Sequence, residues 1–215
     1  PEFESVPLDG LLSPNYAELL SQQLDLDKAS LEEEAGQPWL TYANKTIHDP
    51  WVFNHQPPVR RMYQDSCPSP SSSTTHLGVV DKDRNMVSCT HTLVDSFGSL
   101  VTCSGTGVVL ADGMLWFNPS PGRANSISGW KRPLVNMAPM LVMKNGNPFM
   151  TIGAPGGRKI INAVTQVIMN VIDFGMGMQD AIAVPRVDAS GASTLYHPEL
   201  DPEIVERLRA RGHRM

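Results

Sequence analysis

The chain changes character at Ser73–His76, and this change constrains where a folded domain can begin. Residues 26–73 are polar and rich in proline, and their last part, CPSPSSS, has almost nothing to bury. The run Leu77–Asp81 that follows is apolar and β-prone. Residues 1–73 carry 11 acidic and 4 basic side chains, whereas residues 74–215 carry 11 and 13. The sequence therefore predicts a boundary between residues 73 and 74, with a polar linker before it.

Strand patterns come first in the segment after this boundary. HLGVVD (76–81) and NMVSCTHTLV (85–94) are two β-prone runs joined by the turn-like residues 82–85. A second hairpin is predicted in MLVMKNGNPFMTIG (140–153), because Asn145-Gly146 supplies the positive φ angles that a tight turn needs. Both hairpins predict antiparallel pairing.

Helical patterns follow the strands. The apolar residues Ile160, Ile161, Val164, Ile168 and Val171 recur at helical spacing, which predicts a long, largely buried helix that ends near Gly175. Shorter helices are predicted over 15–24, 178–184 and 202–211, the last capped by Asp201. Strands followed by helices indicate an α+β fold in which the helices stack on a mostly antiparallel sheet.

Composition excludes several classes of function. The net charge of −5 argues against a general nucleic-acid binder, and no stretch is long and apolar enough to span a membrane. Cys67, Cys89 and Cys103 have no metal-ligand spacing and neither do the histidines, so no metal site is expected. Cys89 and Cys103 lie in apolar runs and are predicted to be small core residues.

Two short segments are suited to nucleophilic chemistry. If the peptide bond before Thr74 were cut, its freed amine, with a reference pKa of about 7.7–8.0, could serve as the base for its own hydroxyl. Gly156-Gly157 precedes a predicted helix, and consecutive glycines let backbone N–H groups approach a developing oxyanion. The structural alternatives are a plain polar loop for the segment at Thr74 and a tight strand-to-helix turn for the glycine pair.

Seven segments in order resemble one family, the γ-glutamyltransferases (γ-glutamyl transpeptidases), which also include acylases acting on cephalosporin side chains. They lie in residues 74–186 of a collinear match that extends to residue 210, and PEFESVPLDGLLSPNYAELL (1–20) resembles the end of that family's large subunit. The segments are T-T-H-x-x-V-V-D (74–81), T-x-T-L (90–93), F-G-S (97–99), G-x-x-L (107–110), K-R-P-L-x-x-M-x-P (131–139), G-x-P-G-G-x-x-I (153–160) and N-V-I-D-F-G-M…A-x-x-x-P-R (170–186).

The resemblance implies an N-terminal-nucleophile αββα sandwich, partial in this chain, and an acyl-enzyme mechanism without a cofactor. A precursor would cut itself between Ser73 and Thr74, and Thr74 would attack a γ-glutamyl amide. Thr92 would orient the nucleophile, Thr75 would help to position it or be a buried hydroxyl, and the N–H groups of Gly156 and Gly157 would hold the oxyanion.

The sequence departs from the family where the glutamyl head would bind. Trp116 replaces an acidic residue, Val94 replaces an asparagine, and Val135-Asn136 replaces a serine pair. Losing polar partners weakens recognition of a zwitterion, so an acylase for non-glutamyl amides is an alternative, with Trp116 stacking on the acyl group or filling the core. A non-catalytic homologue or fragment is a second alternative. The resemblance also implies a large-subunit partner and allows an extracytoplasmic location.

Overall fold

The computed structural model describes residues 8–29, 73–122, 125–191 and 193–215. The acidic run at 32–34 and Cys67 lie outside the described residues. The chain forms two compact units; among the described residues, the first contains 8–29, 116–122, 125–134 and 210–213, and the second contains the others. The predicted boundary at 73/74 stays a prediction.

The second unit contains both predicted hairpins. Strands β1 (Thr75–Val80) and β2 (Met86–His91) pair antiparallel, and so do β3 (Met140–Lys144) and β4 (Asn147–Ile152). Asn145 and Gly146 have φ angles of 53° and 76°, as the predicted turn requires. The hairpin prediction is therefore confirmed.

Small side chains connect the two hairpins. The Ser88 hydroxyl donates to the Ile152 carbonyl at 3.1 Å, and the Thr151 hydroxyl donates to the Val87 carbonyl at 3.1 Å. A Cβ placed on Gly78 would lie only 2.9 Å from Cγ2 of Thr151. Glycine in β1 therefore lets β4 approach the first hairpin closely.

Helix α3 (Lys159–Ile172) follows β4 and supplies much of the core. Ile160, Val164 and Val167 are buried, whereas Ile161, predicted to be buried, is half exposed. The apolar residues of the helix form one broad face centred on the buried residues, and Ile161 lies at the edge of that face. The remaining elements are α4 (Met178–Ala183), β5 (Val187–Asp188), β6 (Leu195–Tyr196) and α5 (Pro202–Ala210).

Polar side chains of α3 fix the segment after α4. The Gln166 amide donates to the Val187 carbonyl at 2.8 Å and accepts from the Val187 N–H at 3.1 Å. Asn162 donates to the Asp188 carboxylate at 2.7 Å. Burial raises the pKa of Asp188, but hydrogen bonds from Asn162 and Ser190 and the charge of Lys159 outweigh it, and the pKa lies below its ordinary value.

The first unit contains α1 (Leu8–Leu11) and α2 (Pro14–Gln23), of which only α2 was predicted. Ser13 caps α2 by accepting the Tyr16 N–H, and Pro14 begins the helix where its missing N–H costs nothing. None of the helices in the described ranges is both long and apolar enough to cross a membrane.

The prediction that Cys89 and Cys103 are core residues is wrong, because both are exposed. Cys89 points to the same face of the first hairpin as Leu77 and Val79, which are also exposed. Strand alternation identifies the two faces of a hairpin, but it does not tell which face the described part of the chain covers.

Candidate active site

Thr74 lies directly before β1, and its hydroxyl donates to the Thr92 hydroxyl oxygen at 2.9 Å. The same Thr92 oxygen accepts the Val94 N–H at 2.9 Å. The Ser73 hydroxyl donates to the Asp95 carbonyl at 2.9 Å. Thr74 and Thr92 are both half-buried, so the structure brings these two predicted site residues together in a partly shielded place.

A second polar pair lies beside the first on the same face. His76 and Thr90 are partners in the register of β1 and β2, and Nδ1 of His76 is 3.0 Å from the Thr90 hydroxyl oxygen. Side chains two residues apart on a strand share a face, so Thr74–Thr92 and His76–Thr90 are consecutive pairs. The five-residue connection between β1 and β2 (81–85) fixes this register, and it could have revealed the pairing from the sequence.

The end of β4 follows this face of the first hairpin. Thr151 contacts Gly78, and two residues later Gly153 contacts His76, because a Cβ on Gly153 would overlap Cε1 and Nδ1 of the imidazole ring. A step of two residues along β4 thus matches a step of two residues back along β1.

Gly156 and Gly157 end the loop that begins at Gly153. Their φ angles are 138° and 59°, a region that residues with a Cβ rarely adopt. Their carbonyls accept the N–H groups of Lys159 and Ile160 at 3.2 Å, which starts α3. Both glycines are exposed, and a Cβ on Gly157 would meet no atom within 4 Å, so open space adjoins the backbone.

The loop after β2 has an unusual backbone. Val94 has a φ of 76°, which is sterically unfavourable for a β-branched residue. Gly98 is buried with a φ of 56°, and a Cβ there would overlap the Leu110 carbonyl oxygen. The Asp112 N–H also donates to the Leu93 carbonyl at 3.0 Å. Sequence reasoning noted the valine at position 94 but missed its strained conformation.

The other predicted site residues are less closely tied to Thr74. Thr75 is exposed, so the alternative of a buried hydroxyl is wrong. Val135 is exposed and Asn136 half-buried, and within the described ranges no hydrogen bond joins either to Thr74. Trp116 belongs to the first unit and is the last residue of a short 3₁₀ turn, Gly113–Trp116; it is half-buried, and its carbonyl accepts the Asn125 amide at 2.6 Å.

Known proteins resemble this chain over its whole length. The family profile described as Gamma-glutamyltranspeptidase matches residues 1–215. The glutathione hydrolase proenzyme of Bacillus subtilis subsp. natto is 33% identical over 215 residues, which are 100% of this chain and 35% of that protein. The chain therefore spans about a third of the length of this relative.

Two solved structures resemble the chain. A mutant gamma-glutamyltranspeptidase of Helicobacter pylori matches with a TM-score of 0.59 and 34% identity, over 65% of this chain and 82% of that chain. The cephalosporin acylase from Bacillus halodurans matches with a TM-score of 0.72 and 27% identity, over 99% of this chain and 33% of that chain. One neighbour is thus named a transpeptidase and the other an acylase.

Proposed function

This chain belongs to the gamma-glutamyltranspeptidase family, and we propose that it carries the nucleophile of an amidohydrolase or acyltransferase acting on γ-glutamyl amides such as glutathione. Its fold is the α+β fold of the N-terminal-nucleophile hydrolases, of which it forms a part. The remaining part would be the large-subunit portion of the same precursor, since the relatives are longer proenzymes.

The reaction would begin with cleavage between Ser73 and Thr74, which frees the Thr74 amine. The hydroxyl oxygen of Thr74 would then attack the amide carbon while the amine takes the hydroxyl proton. The N–H groups of Gly156 and Gly157 would stabilise the tetrahedral oxyanion. The proton passes to the leaving amine, an acyl ester forms on Thr74, and water or an acceptor amine releases the acyl group.

The observation that carries the proposal is the 2.9 Å hydrogen bond from the Thr74 hydroxyl to Thr92. It holds the Thr74 oxygen at one point of a half-buried site instead of leaving it free to rotate. The contact between Gly153 and His76 supports the second requirement, because it brings the start of the glycine loop against a side chain two positions from Thr74.

Intact-mass measurement of the full-length gene product tests the proposal. We expect two pieces that separate at Ser73/Thr74 and whose masses sum to the precursor plus one water molecule. Thr74→Ala should remain uncut and inactive. A wild-type chain that stays whole and turns over no γ-glutamyl amide would instead support a non-catalytic homologue.

A second candidate function is an acylase for a less polar acyl group. Val94 favours the acylase. Its backbone N–H donates to Thr92, so its half-buried apolar side chain lies close to the proposed site. Asparagine tolerates a positive φ better than valine, so the valine is kept at a conformational cost. Turnover of a γ-glutamyl anilide should be compared with turnover of a glutaryl anilide. A clear preference for the γ-glutamyl compound would exclude the acylase.

The location is also part of the proposal. The family resemblance allows an extracytoplasmic location, which we propose for the full-length protein, and the relatives named above are bacterial. Cell fractionation followed by immunoblotting would test this. Recovery of the mature protein with cytoplasmic markers alone would contradict it.

A further inference from the structure

We propose that His76 is a positioning residue that holds the glycine loop 153–157 in register with Thr74. The inference rests on the proposed function and deepens it. It gives the imidazole no proton to transfer, and its effect on the reaction passes through the backbone of the loop.

The first support is the anchoring of the imidazole. Nδ1 of His76 lies 3.0 Å from the Thr90 hydroxyl oxygen, in the pair directly beside Thr74–Thr92. The ring is thereby fixed to the hairpin that presents the nucleophile. His76 is two positions from Thr74, which corresponds to about 7 Å along an extended chain.

The second support is the contact between this ring and Gly153. The ring occupies the space in which a side chain of residue 153 would begin, so only glycine fits against it. Gly153 is the first residue after β4 and lies three positions before Gly156, a span of at most about 11 Å. The loop therefore leaves the sheet in contact with a ring anchored to the nucleophile's strand.

The third support is that histidine is an unfavourable residue for packing alone at this position. Nε2 of His76 is buried, and no group in the described part of the chain hydrogen-bonds it. A buried polar atom without a partner is unfavourable, so packing alone would favour an apolar side chain. A flat ring anchored at one nitrogen provides what an aliphatic side chain does not: a contact surface with a fixed orientation.

Misplacing a reacting group by about 1 Å can cost about a hundredfold in rate. In His76→Asn the shorter amide can still reach Thr90, but most of the ring is removed from Gly153. We expect kcat to fall about ten- to a hundredfold while KM changes less than about threefold, because the loop acts on the transition state. His91→Asn is the matched control; it makes the same change on an exposed residue of the opposite face, and we expect wild-type kinetics.

Gly153→Ala tests the same contact from the other side. Its methyl group would push the ring away, so kcat should fall as in His76→Asn. In the double variant the methyl group gains the space of the ring, and the two losses should not multiply. Thr90→Val, which removes only the hydrogen bond, provides the same kinetic readout if His76→Asn does not accumulate as folded protein.

The kinetics are measured on the full-length protein, per mole of cleaved enzyme. The positioning role is overturned, and the proposed function is not, if the wild type is active and kcat of His76→Asn lies within about twofold of the wild-type value. The same holds if only KM changes in His76→Asn. Losses that multiply in the double variant would also overturn it. A wild type that neither cleaves itself nor turns over substrate would overturn the proposed function, and this inference with it.

Discussion

Replacing Thr92 by valine is the most direct perturbation of the candidate site. Valine has nearly the same shape as threonine but lacks the hydroxyl group. The Thr92 oxygen accepts two hydrogen bonds of 2.9 Å, one from the Thr74 hydroxyl and one from the Val94 N–H. Both bonds are lost in Thr92→Val, whereas Thr92→Ser retains the oxygen.

The magnitude follows from these two bonds. A neutral hydrogen bond contributes about 0.5–1.5 kcal/mol, and the half-buried donors regain part of this from water. We therefore expect Thr92→Val to lose about 1–2 kcal/mol of folding stability. If only the loss of the Thr74 bond appears in the transition state, its share of about 0.5–1.5 kcal/mol corresponds to a roughly two- to thirteenfold lower kcat.

The assay has to separate self-cleavage from turnover. The cleaved fraction of each variant is quantified by intact mass, and kcat and KM are then determined for a γ-glutamyl anilide per mole of cleaved enzyme. KM should stay near the wild-type value, because Thr92 contacts the nucleophile. Equal kcat for Thr92→Val, Thr92→Ser and wild type, with Thr74→Ala inactive, would refute the orienting role.

Three further changes have defined outcomes. Gly98→Ala should lower the midpoint of urea unfolding. A positive φ costs a residue with a Cβ about 1–2 kcal/mol, and the alanine methyl group would overlap the Leu110 carbonyl oxygen. An unchanged midpoint would contradict this. Val94→Asn should raise the ratio of γ-glutamyl to glutaryl turnover and not lower the melting temperature; an unchanged ratio would remove Val94 from the specificity site. The pKa of Asp188 lies below its ordinary value of 3.8, so the ionised carboxylate stabilises the folded state above that pH, and this contribution is lost as the pH falls through the folded-state pKa. Urea titrations from pH 5 to about 2 should show the loss in wild type and a smaller one in Asp188→Asn.

Local signals explain why most elements could be predicted. The Asn145-Gly146 turn and the cap of α5 by Asp201, whose carboxylate accepts the Glu203 N–H at 2.8 Å, involve neighbours in sequence. Helix α1 was missed because its four residues, LDGL, include a glycine and are too few for a periodic pattern.

Non-local contacts explain what could not be predicted. Ile161 lies at the edge of the apolar face of α3, and whether an edge residue is covered depends on the elements that pack against the helix; here it is half exposed. The contact of His76 with Gly153 joins residues 77 positions apart, and no local pattern contains it. The roles of Thr74, Thr92, Gly156 and Gly157 came from the family resemblance, and the Thr74–Thr92 hydrogen bond was then found in the structure.

The composition of the face between the hairpins is itself part of the chemistry. The proposed nucleophile lies on the first hairpin and the proposed oxyanion donors follow the second, so the packing of the hairpins sets the distance between them. Sheets that pack through large side chains lie about 10 Å apart, whereas one reacting carbon must approach both groups within about 3 Å. Gly78, Ser88 and Gly153 let the backbones approach more closely than that. Glycine and serine weaken isolated strands, and their presence on this face, opposite the apolar Leu77 and Val79, fits the short distance that the proposed acyl transfer would require.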